Sequence, residues 1–504
     1  MLIEALLALT LLAAGVVFFA PNEYAGKLAT ALSLVPLVGS GWMWLNYEAT
    51  GNALLGGDMA FETTAQWIDF GPYAIQWHVG LDGVSMPLIV LTTILTTMAI
   101  ISAWTPIDER ESQFYGLVLL LEFGLLGVFT ALDFFVWFIF WEVVLVPMYF
   151  LIAIWGGPRR KYAAIKFFVY TNIASLIMFV GFLTLVFSLG DSVTALDLPQ
   201  IAQALQVEGA VGSIAGFGPE TVKLFAFALM FFGFAVKVPV FPVHTWLPDA
   251  HVEAPTPISV ILAGILLKMG GYGFFRIAFP FFPDAAVYFG WLLALLGVIN
   301  IIYGSLCAMA QEDLKKLVAY SSIGHMGYML LGMASFVEFG LKGGHMQMFT
   351  HGLSSGLLFM LVGVVYQRAH HRNISGFGGL ASQMPYYAGF MCLATFAGLG
   401  LPGLAPFISE AFSFIGAFYS EITRTYAVIG IFGILLTASY MLWMYQRVFF
   451  GEVNEENEEL PDINVREMAA ALPLMVLLVV LGVYPMAYFN LINESLLQLQ
   501  QMIH

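Results

Sequence analysis

Residues 234–242 read Phe-Ala-Val-Lys-Val-Pro-Val-Phe-Pro, and they place one lysine and two prolines inside an otherwise apolar stretch. Proline breaks a helix, and a charged group in an apolar helix needs a partner or a water-filled cavity. A second interruption, Gly-Leu-Gly-Leu-Pro-Gly at residues 398–403, falls in another apolar stretch. Paired interruptions of this kind indicate a transporter built from inverted repeats, although proline and glycine are also common in membrane helices generally.

The composition around these interruptions is that of a membrane protein. Of the 504 residues, 60% are hydrophobic and 10% are charged, whereas soluble domains contain about 25% charged residues. Apolar stretches of about twenty residues recur from end to end, which is the length of a membrane-crossing helix. We predict an all-α polytopic membrane protein, one integral membrane domain with about fourteen transmembrane helices. The predicted spans are residues 1–20, 25–46, 83–104, 114–131, 133–155, 164–189, 221–244, 256–278, 286–308, 315–335, 344–367, 384–418, 424–449 and 468–491.

We group the predicted spans into two inverted five-helix repeats within a single domain over residues 1–504. Residues 1–112 hold three N-terminal helices, residues 113–278 form the first repeat and residues 286–449 form the second. Residues 450–504 then contain a loop and the last helix. With this division each repeat includes one discontinuous helix, which is the arrangement expected of an inverted-repeat transporter.

The charged residues outside the spans indicate orientation and partners. The net charge is −15, with carboxylates clustered between Glu452 and Glu459, so we expect no nucleic-acid partner. Of the 18 Lys and Arg, twelve lie in or beside loops that follow odd-numbered spans, four lie on the other side and two lie inside helices. The positive-inside rule then predicts a multi-pass protein of the cell inner (plasma) membrane, surrounded by the lipid bilayer, with both termini on the non-cytoplasmic side. The twelve are Lys27, Arg110, Arg159, Arg160, Lys161, Lys166, Lys315, Lys316, Arg368, Arg372, Arg447 and Arg466.

Four ionisable residues lie inside apolar spans, namely Glu142, Lys237, Lys268 and Glu410. A single such residue is often a snorkelling or structurally paired charge, but four of both signs indicate a proton path. Burial favours the neutral forms of a carboxylic acid and an amine, whereas proximity of the two favours the charged forms. A movable distance between Glu142 and Lys237 can therefore switch protonation. Glu122, in the fourth span, has no role that the pattern assigns.

Two histidines in predicted spans extend this idea. His325 and His351 lie in the tenth and eleventh spans, and a histidine can exchange protons near neutral pH, so the two can relay protons between Lys268 and Glu410. Hydrogen-bonded packing and ligation of a haem are the alternatives. The spans contain no GxGxxG, P-loop, CxxC or flavin motif, so we expect no cofactor in this chain.

Four long motifs resemble the antiporter-like proton-translocating subunits of complex I. The resemblance covers the third to the fourteenth span, and it implies a fourteen-helix subunit with two inverted five-helix repeats. It implies that Glu142 and Lys237 are the family's essential pair, that Lys268 is its central lysine and that two histidines form its relay. These histidines are His325 and His351. The motifs are FWEVVLVPMY at 140–149, AVKVPVFPVHTWLPDAH at 235–251, LAGILLKMGGYG at 262–273 and QEDLKKLVAYSSIGHMG at 311–327.

The resemblance also implies a branch of the family and a set of partners. Paralogous subunits mostly carry lysine at the position of Glu410, whereas the M-type subunit carries glutamate, so this residue points to the M type. The partners would be the other membrane-arm subunits of a complex I-type NADH–quinone oxidoreductase, including paralogous antiporter-like subunits. The chain would couple quinone reduction to proton transport without a redox centre and without binding NADH directly. Subunits of sodium/proton antiporters and membrane-bound hydrogenases share this plan and stay open as alternatives, and a passive scaffold would not explain the buried charges.

Overall fold

The computed structural model describes residues 1–48, 51–71 and 73–503, whose regular secondary structure is helical apart from one β-hairpin. The prediction of a helical membrane fold is confirmed, and the hairpin is an addition to it. The helices up to the first interruption are α1 (Leu2–Phe18), α2 (Asn22–Leu45), α3 (Met86–Ser102), α4 (Glu111–Thr130), α5 (Phe134–Val143), α6 (Leu145–Trp155), α7 (Arg160–Leu189), α8 (Leu198–Leu205) and α9 (Pro219–Lys237). The later helices are α10 (Trp246–Glu253), α11 (Thr256–Ile261), α12 (Leu267–Gly273), α13 (Phe279–Phe281), α14 (Pro283–Tyr288), α15 (Gly290–Met309), α16 (Leu314–Met333), α17 (Glu338–Ala369), α18 (Leu380–Gln383), α19 (Pro385–Gly398), α20 (Ala405–Tyr419), α21 (Arg424–Gly430), α22 (Phe432–Phe449), α23 (Val465–Val483) and α24 (Met486–Ile503).

Ten helical stretches of the described chain are long and apolar enough to cross a bilayer, and α1 and α3 are shorter apolar helices. The number of about fourteen crossings and the two inverted repeats stay predictions. Two of the ten stretches, Thr256–Phe281 and Glu338–Ala369, are buried throughout their most apolar part, whereas the stretch at Asn22–Leu45 is mostly exposed. These two stretches therefore form the centre of the molecule.

Both predicted interruptions are present. Helix α9 ends at Lys237, and α10 begins only at Trp246, because prolines at 239 and 242 cannot donate the backbone hydrogen bonds of a helix. Helix α19 ends at Gly398, and α20 begins at Ala405. Each helix closes with a bond reaching five residues back, from Val240 N to Ala235 O at 2.9 Å and from the residue 401 amide to the residue 396 carbonyl at 3.0 Å.

The central stretch Thr256–Phe281 contains two π-helical turns. The turns lie at Leu262–Leu266 and Phe274–Ala278, on either side of α12. A π-helical turn interrupts the regular pattern of backbone bonds and is frequent at functional sites. Lys268 lies in α12, directly after the first turn.

The last predicted span, residues 468–491, is wrong at its end. Helix α23 stops at Val483, and α24 is a separate amphipathic helix. The two helices have apolar residues on both sides of Pro485, so hydropathy alone joins them into one span. Helix α24 packs on the loop before the hairpin, where Asn52 N donates to Gln498 Oε1 at 2.7 Å.

The hairpin pairs β1 (Ala60–Phe70) with β2 (Tyr73–Leu81) in antiparallel register, with Ala65 opposite Trp77. Its signal in the sequence is a run of β-branched and aromatic residues on both sides of the dipeptide Gly-Pro. The Met1 ammonium donates to Thr63 Oγ1 at 2.8 Å. Because α24 also lies beside the segment that precedes β1, Met1 and α24 lie on the face of the molecule that carries the hairpin.

Candidate functional site

The first part of the site is the pair Glu142 and Lys237, which we call the switch pair. Asp133 caps α5 by accepting a hydrogen bond from Phe135 N at 2.9 Å, and Glu142 lies near the other end of this helix. Asn172 Nδ2 donates to Glu142 Oε2 at 3.0 Å. The other carboxylate oxygen, Oε1, is buried and finds no hydrogen-bond partner in the described part of the chain.

Lys237 is the last residue of α9 and is 2% exposed. Its Nζ atom has no hydrogen-bond partner among the described residues and lies 5.1 Å from the ring centroid of Trp141. Trp141 is held by a hydrogen bond from Nε1 to Ser175 Oγ at 2.9 Å. Trp141 directly precedes Glu142 in the chain, but no ion pair within 4.0 Å joins Glu142 and Lys237 in the described structure. The switch pair is therefore adjacent but separated.

The second part of the site is a row of four buried side chains, which we call the central row. Lys268 Nζ donates to Ala263 O at 2.5 Å, inside the π-helical turn that precedes α12. The same Nζ lies 2.6 Å from His351 Nδ1 on α17. An ammonium only donates hydrogen bonds, so with Lys268 charged the Nδ1 atom accepts and the His351 proton lies on Nε2. A proton on this contact can thus belong to either residue.

His325 and Glu410 continue the central row. The rings of His351 and His325 have centroids 5.4 Å apart, and His325 Nδ1 lies 3.3 Å from Glu410 Oε1. The four members come from four helices, α12, α17, α16 and α20, and each is at most 5% exposed. The structure thus brings together the four residues that the sequence analysis expected in one relay. Whether they carry protons stays a prediction.

The interruption between α19 and α20 folds back over Glu410. Gly400 has a φ of +73°, and a Cβ atom built there would lie 2.6 Å from Glu410 Oε2. Only glycine combines this backbone conformation with such a close approach. The break therefore serves to cover the carboxylate at the end of the central row.

The switch pair and the central row lie on touching helices. A Cβ atom at Gly270 of α12 would lie 3.0 Å from Lys237 Cβ and 2.8 Å from Phe234 O of α9. Helix α12 therefore packs directly against the end of α9, so that Lys237 and Lys268 belong to adjacent helices at the centre of the molecule.

Sequence reasoning misplaced two buried charges and left a third, Glu122, without a role. Arg276, expected beside a loop, is 1% exposed and forms two bonds with Asp82, at 2.7 and 2.5 Å. Lys315, also expected at a loop, is 2% exposed and donates to Ala254 O. Glu122 is fully buried, and neither carboxylate oxygen has a hydrogen-bond partner among the described residues. Hydropathy could not distinguish buried charges from charges beside loops, because it does not reveal which face of a helix points inward.

Comparison with known proteins places this geometry in a family. Residues 131–437 match the family described as NADH:quinone oxidoreductase/Mrp antiporter, TM. NADH-quinone oxidoreductase subunit M of Rhodobacter capsulatus is 41% identical over 449 residues, which cover 88% of this chain and 85% of that protein. NAD(P)H-quinone oxidoreductase chain 4 3 of Trichormus variabilis is 42% identical over 423 residues, which cover 82% of this chain and 75% of that protein.

Solved structures agree with the sequence relatives. A chain of respiratory complex I from Thermus thermophilus with bound NADH matches with a TM-score of 0.88 at 27% identity, over 100% of both chains. A chain of the Mrp complex from Dietzia matches with a TM-score of 0.80 at 21% identity, over 99% of this chain and 98% of that one, a likeness of fold alone. The chain therefore belongs to the family of antiporter-like membrane subunits that NADH:quinone oxidoreductases share with Mrp antiporters.

Proposed function

We propose that this chain is the M-type membrane-arm subunit of a complex I-type NADH–quinone oxidoreductase and that it translocates protons. The observation that carries the proposal is the central row, in which Lys268, His351, His325 and Glu410 follow one another in the interior, with close contacts at its two ends and a ring-centroid separation of 5.4 Å between its histidines. A passive scaffold gains nothing from four titratable groups in its interior, since each is costly to bury. The M-type relatives and the glutamate at position 410 support the choice of branch.

The central row can pass a proton without moving its backbone. When Lys268 gives a proton to His351 Nδ1, the imidazole can release its other proton from Nε2 on the opposite side of the ring. One water between the two rings would connect Nε2 to His325, because a buried polar atom without a partner is a favourable site for water. Glu410 then receives the proton from His325. Each hop leaves the donor neutral, and each imidazole then carries its proton on the nitrogen that received it, so the ring must return to its first tautomer before it accepts the next proton.

The switch pair would control when the central row is loaded. As Glu142 approaches Lys237, the ammonium form becomes favoured, and as the two separate, Lys237 releases its proton toward the neighbouring helix α12. The described structure shows the separated arrangement. Lys237 ends α9 directly before the proline-broken segment, where the backbone can adjust more easily than in a regular helix.

We further propose that the chain has no redox centre and does not bind NADH, so that electron transfer belongs to partner subunits. His351 Nδ1 and His325 Nδ1 face Lys268 and Glu410, so the histidines link titratable groups as a proton relay requires. The expected partners are other membrane-arm subunits, including paralogous antiporter-like ones. The unequal distribution of basic residues supports an orientation with both termini away from the cytoplasm.

The test is substitution of Glu410 in the assembled complex. Glu410→Gln should lower proton pumping by about 100-fold, whereas Glu410→Asp should keep part of it, because only a carboxylate binds and releases a proton. Pumping is measured in vesicles with a pH-sensitive dye. Exposed Glu421 provides the matched control, since Glu421→Gln makes the same chemical change at the surface.

Pumping by Glu410→Gln at the rate of the unmodified protein would remove the central row from the proton path. The same vesicles also distinguish the antiporter alternative, which the family description and the Mrp fold suggest. Transport that requires sodium would indicate a sodium/proton antiporter, whereas transport that is unchanged when choline replaces sodium agrees with proton pumping.

A further inference from the structure

We propose that Asn300 is a positioning residue that holds the interruption beside Lys237 and ties it to the helix pair that carries His325. The proposal rests on the proton-translocating function above and adds to it a link between the switch pair and the central row. Asn300 lies on α15, outside both groups, and is fully buried.

The side-chain amide of Asn300 forms hydrogen bonds with the broken segment through both its oxygen and its nitrogen. Its Oδ1 atom accepts a hydrogen bond from Phe241 N at 2.9 Å, and its Nδ2 atom donates to Pro239 O at 3.2 Å. One turn further along the same helix, Tyr303 Oη lies 3.3 Å from His244 Nε2. A single face of α15 therefore follows the interruption from Pro239 to His244.

These bonds replace backbone hydrogen bonds that the interruption of the helix removes. Residues 238–245 lie between α9 and α10, where backbone groups lose their helical partners. In an apolar surrounding a backbone group without a hydrogen-bond partner is costly. Asn300 satisfies one carbonyl and one amide of this segment from a different helix. Since Lys237 stands two residues before Pro239, the same bonds couple the backbone next to the lysine to α15.

Helix α15 is in turn locked to α16. A Cβ atom at Gly327 would lie 2.5 Å from Gly297 O, and one at Gly304 would lie 2.7 Å from Gly324 N. The two backbones are therefore in direct contact on both sides of His325. A displacement of the broken segment that keeps the Asn300 bonds must move α15, and α15 cannot move against α16 without disturbing His325.

The link gives the switch pair a way to act on the central row. If Lys237 shifts when Glu142 approaches, the shift reaches the Pro239 and Phe241 backbone, then α15 and finally His325. Proton transfer along the central row would then be possible in one arrangement of the switch pair and blocked in the other. Without the two Asn300 bonds the backbone at Pro239 and Phe241 would be coupled less tightly to α15, and a change of protonation in the switch pair would no longer be passed on to the central row.

Two substitutions at Asn300 separate this role from simple packing. Asn300→Leu keeps the approximate volume and removes both bonds, so proton pumping per assembled complex should fall about tenfold, a change equivalent to about 1.4 kcal/mol. In Asn300→Asp the protonated carboxyl both donates and accepts, as the amide does, whereas the ionised form only accepts and faces the Pro239 carbonyl. Pumping by this variant should fall as pH rises, with a step that the unmodified protein lacks.

The matched control is Ser305→Ala on the same helix. Ser305 is 1% exposed, and its hydroxyl has no hydrogen-bond partner among the described residues, so its loss should leave pumping and the pH profile unchanged. Assembly is checked on a native gel, and rates are given per assembled complex. A purely structural role would lower the amount of complex but not alter the pH profile of what remains.

Asn300→Leu pumping at the unmodified rate, or Asn300→Asp without a new pH-dependent step, would overturn the proposal. Neither result would contradict the proposed proton translocation, because the proton path is tested independently at Glu410. Loss of pumping in Glu410→Gln together with normal pumping in Asn300→Leu would mean that the central row works without this link.

Discussion

At the scale of single residues, the chain contains two kinds of buried charge. Asp82 and Arg276 form a bidentate pair with short, complementary bonds, which is the arrangement that makes a buried charge tolerable. Lys237 and Glu122 have no such partner among the described residues. A charge that is buried without a fixed partner can change its protonation at lower cost than one locked in an ion pair. The proposed proton path therefore includes the loosely held Lys237, whereas we assign to it neither Glu122 nor the locked pair of Asp82 and Arg276.

His78, on the hairpin outside the membrane spans, gives a prediction for pH dependence. Burial disfavours the charged imidazole, but hydrogen bonds to Asp197 at 2.5 Å and to Glu62 at 3.0 Å outweigh it and raise the pKa of His78 above its ordinary value of 6.5. A raised pKa in the folded state means that the stabilisation is complete below pH 6.5 and is lost as pH rises through the folded-state value.

We therefore expect protection of the hairpin against hydrogen exchange, corrected for the intrinsic rate, to decrease as pH is raised above 6.5. His78→Gln should remove this dependence, because glutamine does not titrate in the same range. Equal pH dependence in the two proteins would show that His78 does not hold the hairpin.

At the scale of elements, the interruptions could be predicted from the sequence and the arrangement around them could not. Prolines and glycines are read directly from the chain, and their effect on a helix is local. The hairpin was overlooked because it lies between membrane spans, where hydropathy gives no signal, and α24 because it continues an apolar stretch. The contact of Lys268 with His351 joins residues 83 positions apart, so only packing reveals it. Their presence in one relay was expected from residue type, but not their distances.

The contact of α15 with α16 predicts a cost for added volume. In Gly327→Ala the new methyl group would lie 2.5 Å from Gly297 O and 2.8 Å from Ile301 N, and both are backbone atoms that cannot turn aside. We expect a loss of about 1 to 3 kcal/mol, seen as a lower thermal unfolding midpoint in detergent. Gly389→Ala is the control, because an added Cβ atom meets nothing within 4 Å there. A midpoint for Gly327→Ala equal to that of the control would show that the helices are not in close contact.

At the scale of the whole molecule, the titratable groups lie in the most buried layer. The central row joins Lys268 in the stretch Thr256–Phe281 to His351 in Glu338–Ala369, and both stretches are shielded on all sides. Helices with exposed apolar faces, such as α2, lie at the periphery, where they can contact lipid or neighbouring subunits. Protons would therefore travel through the centre of the subunit, away from lipid.

The orientation of this assembly can be tested by cysteine labelling in intact cells and inverted vesicles. Arg160, at the start of α7, and Glu208, in the loop after α8, are both exposed. The positive-inside rule predicts that a cysteine at Arg160 is labelled from the cytoplasm and one at Glu208 from the opposite side. The reverse pattern would invert the orientation and place both termini in the cytoplasm.

The most direct test of the central claim, proton translocation driven by the switch pair, is proton pumping by an assembled complex that carries Glu142→Gln. Glutamine keeps the hydrogen bonding of a neutral side chain but cannot carry the charge that stabilises the Lys237 ammonium. Vesicle acidification and coupled quinone reduction should both fall at least about tenfold, since a tightly coupled pump stops when its proton step is blocked. Electron transfer from the donor to an artificial acceptor should continue, because we assign no redox centre to this chain. Full pumping by an assembled Glu142→Gln complex would contradict the mechanism.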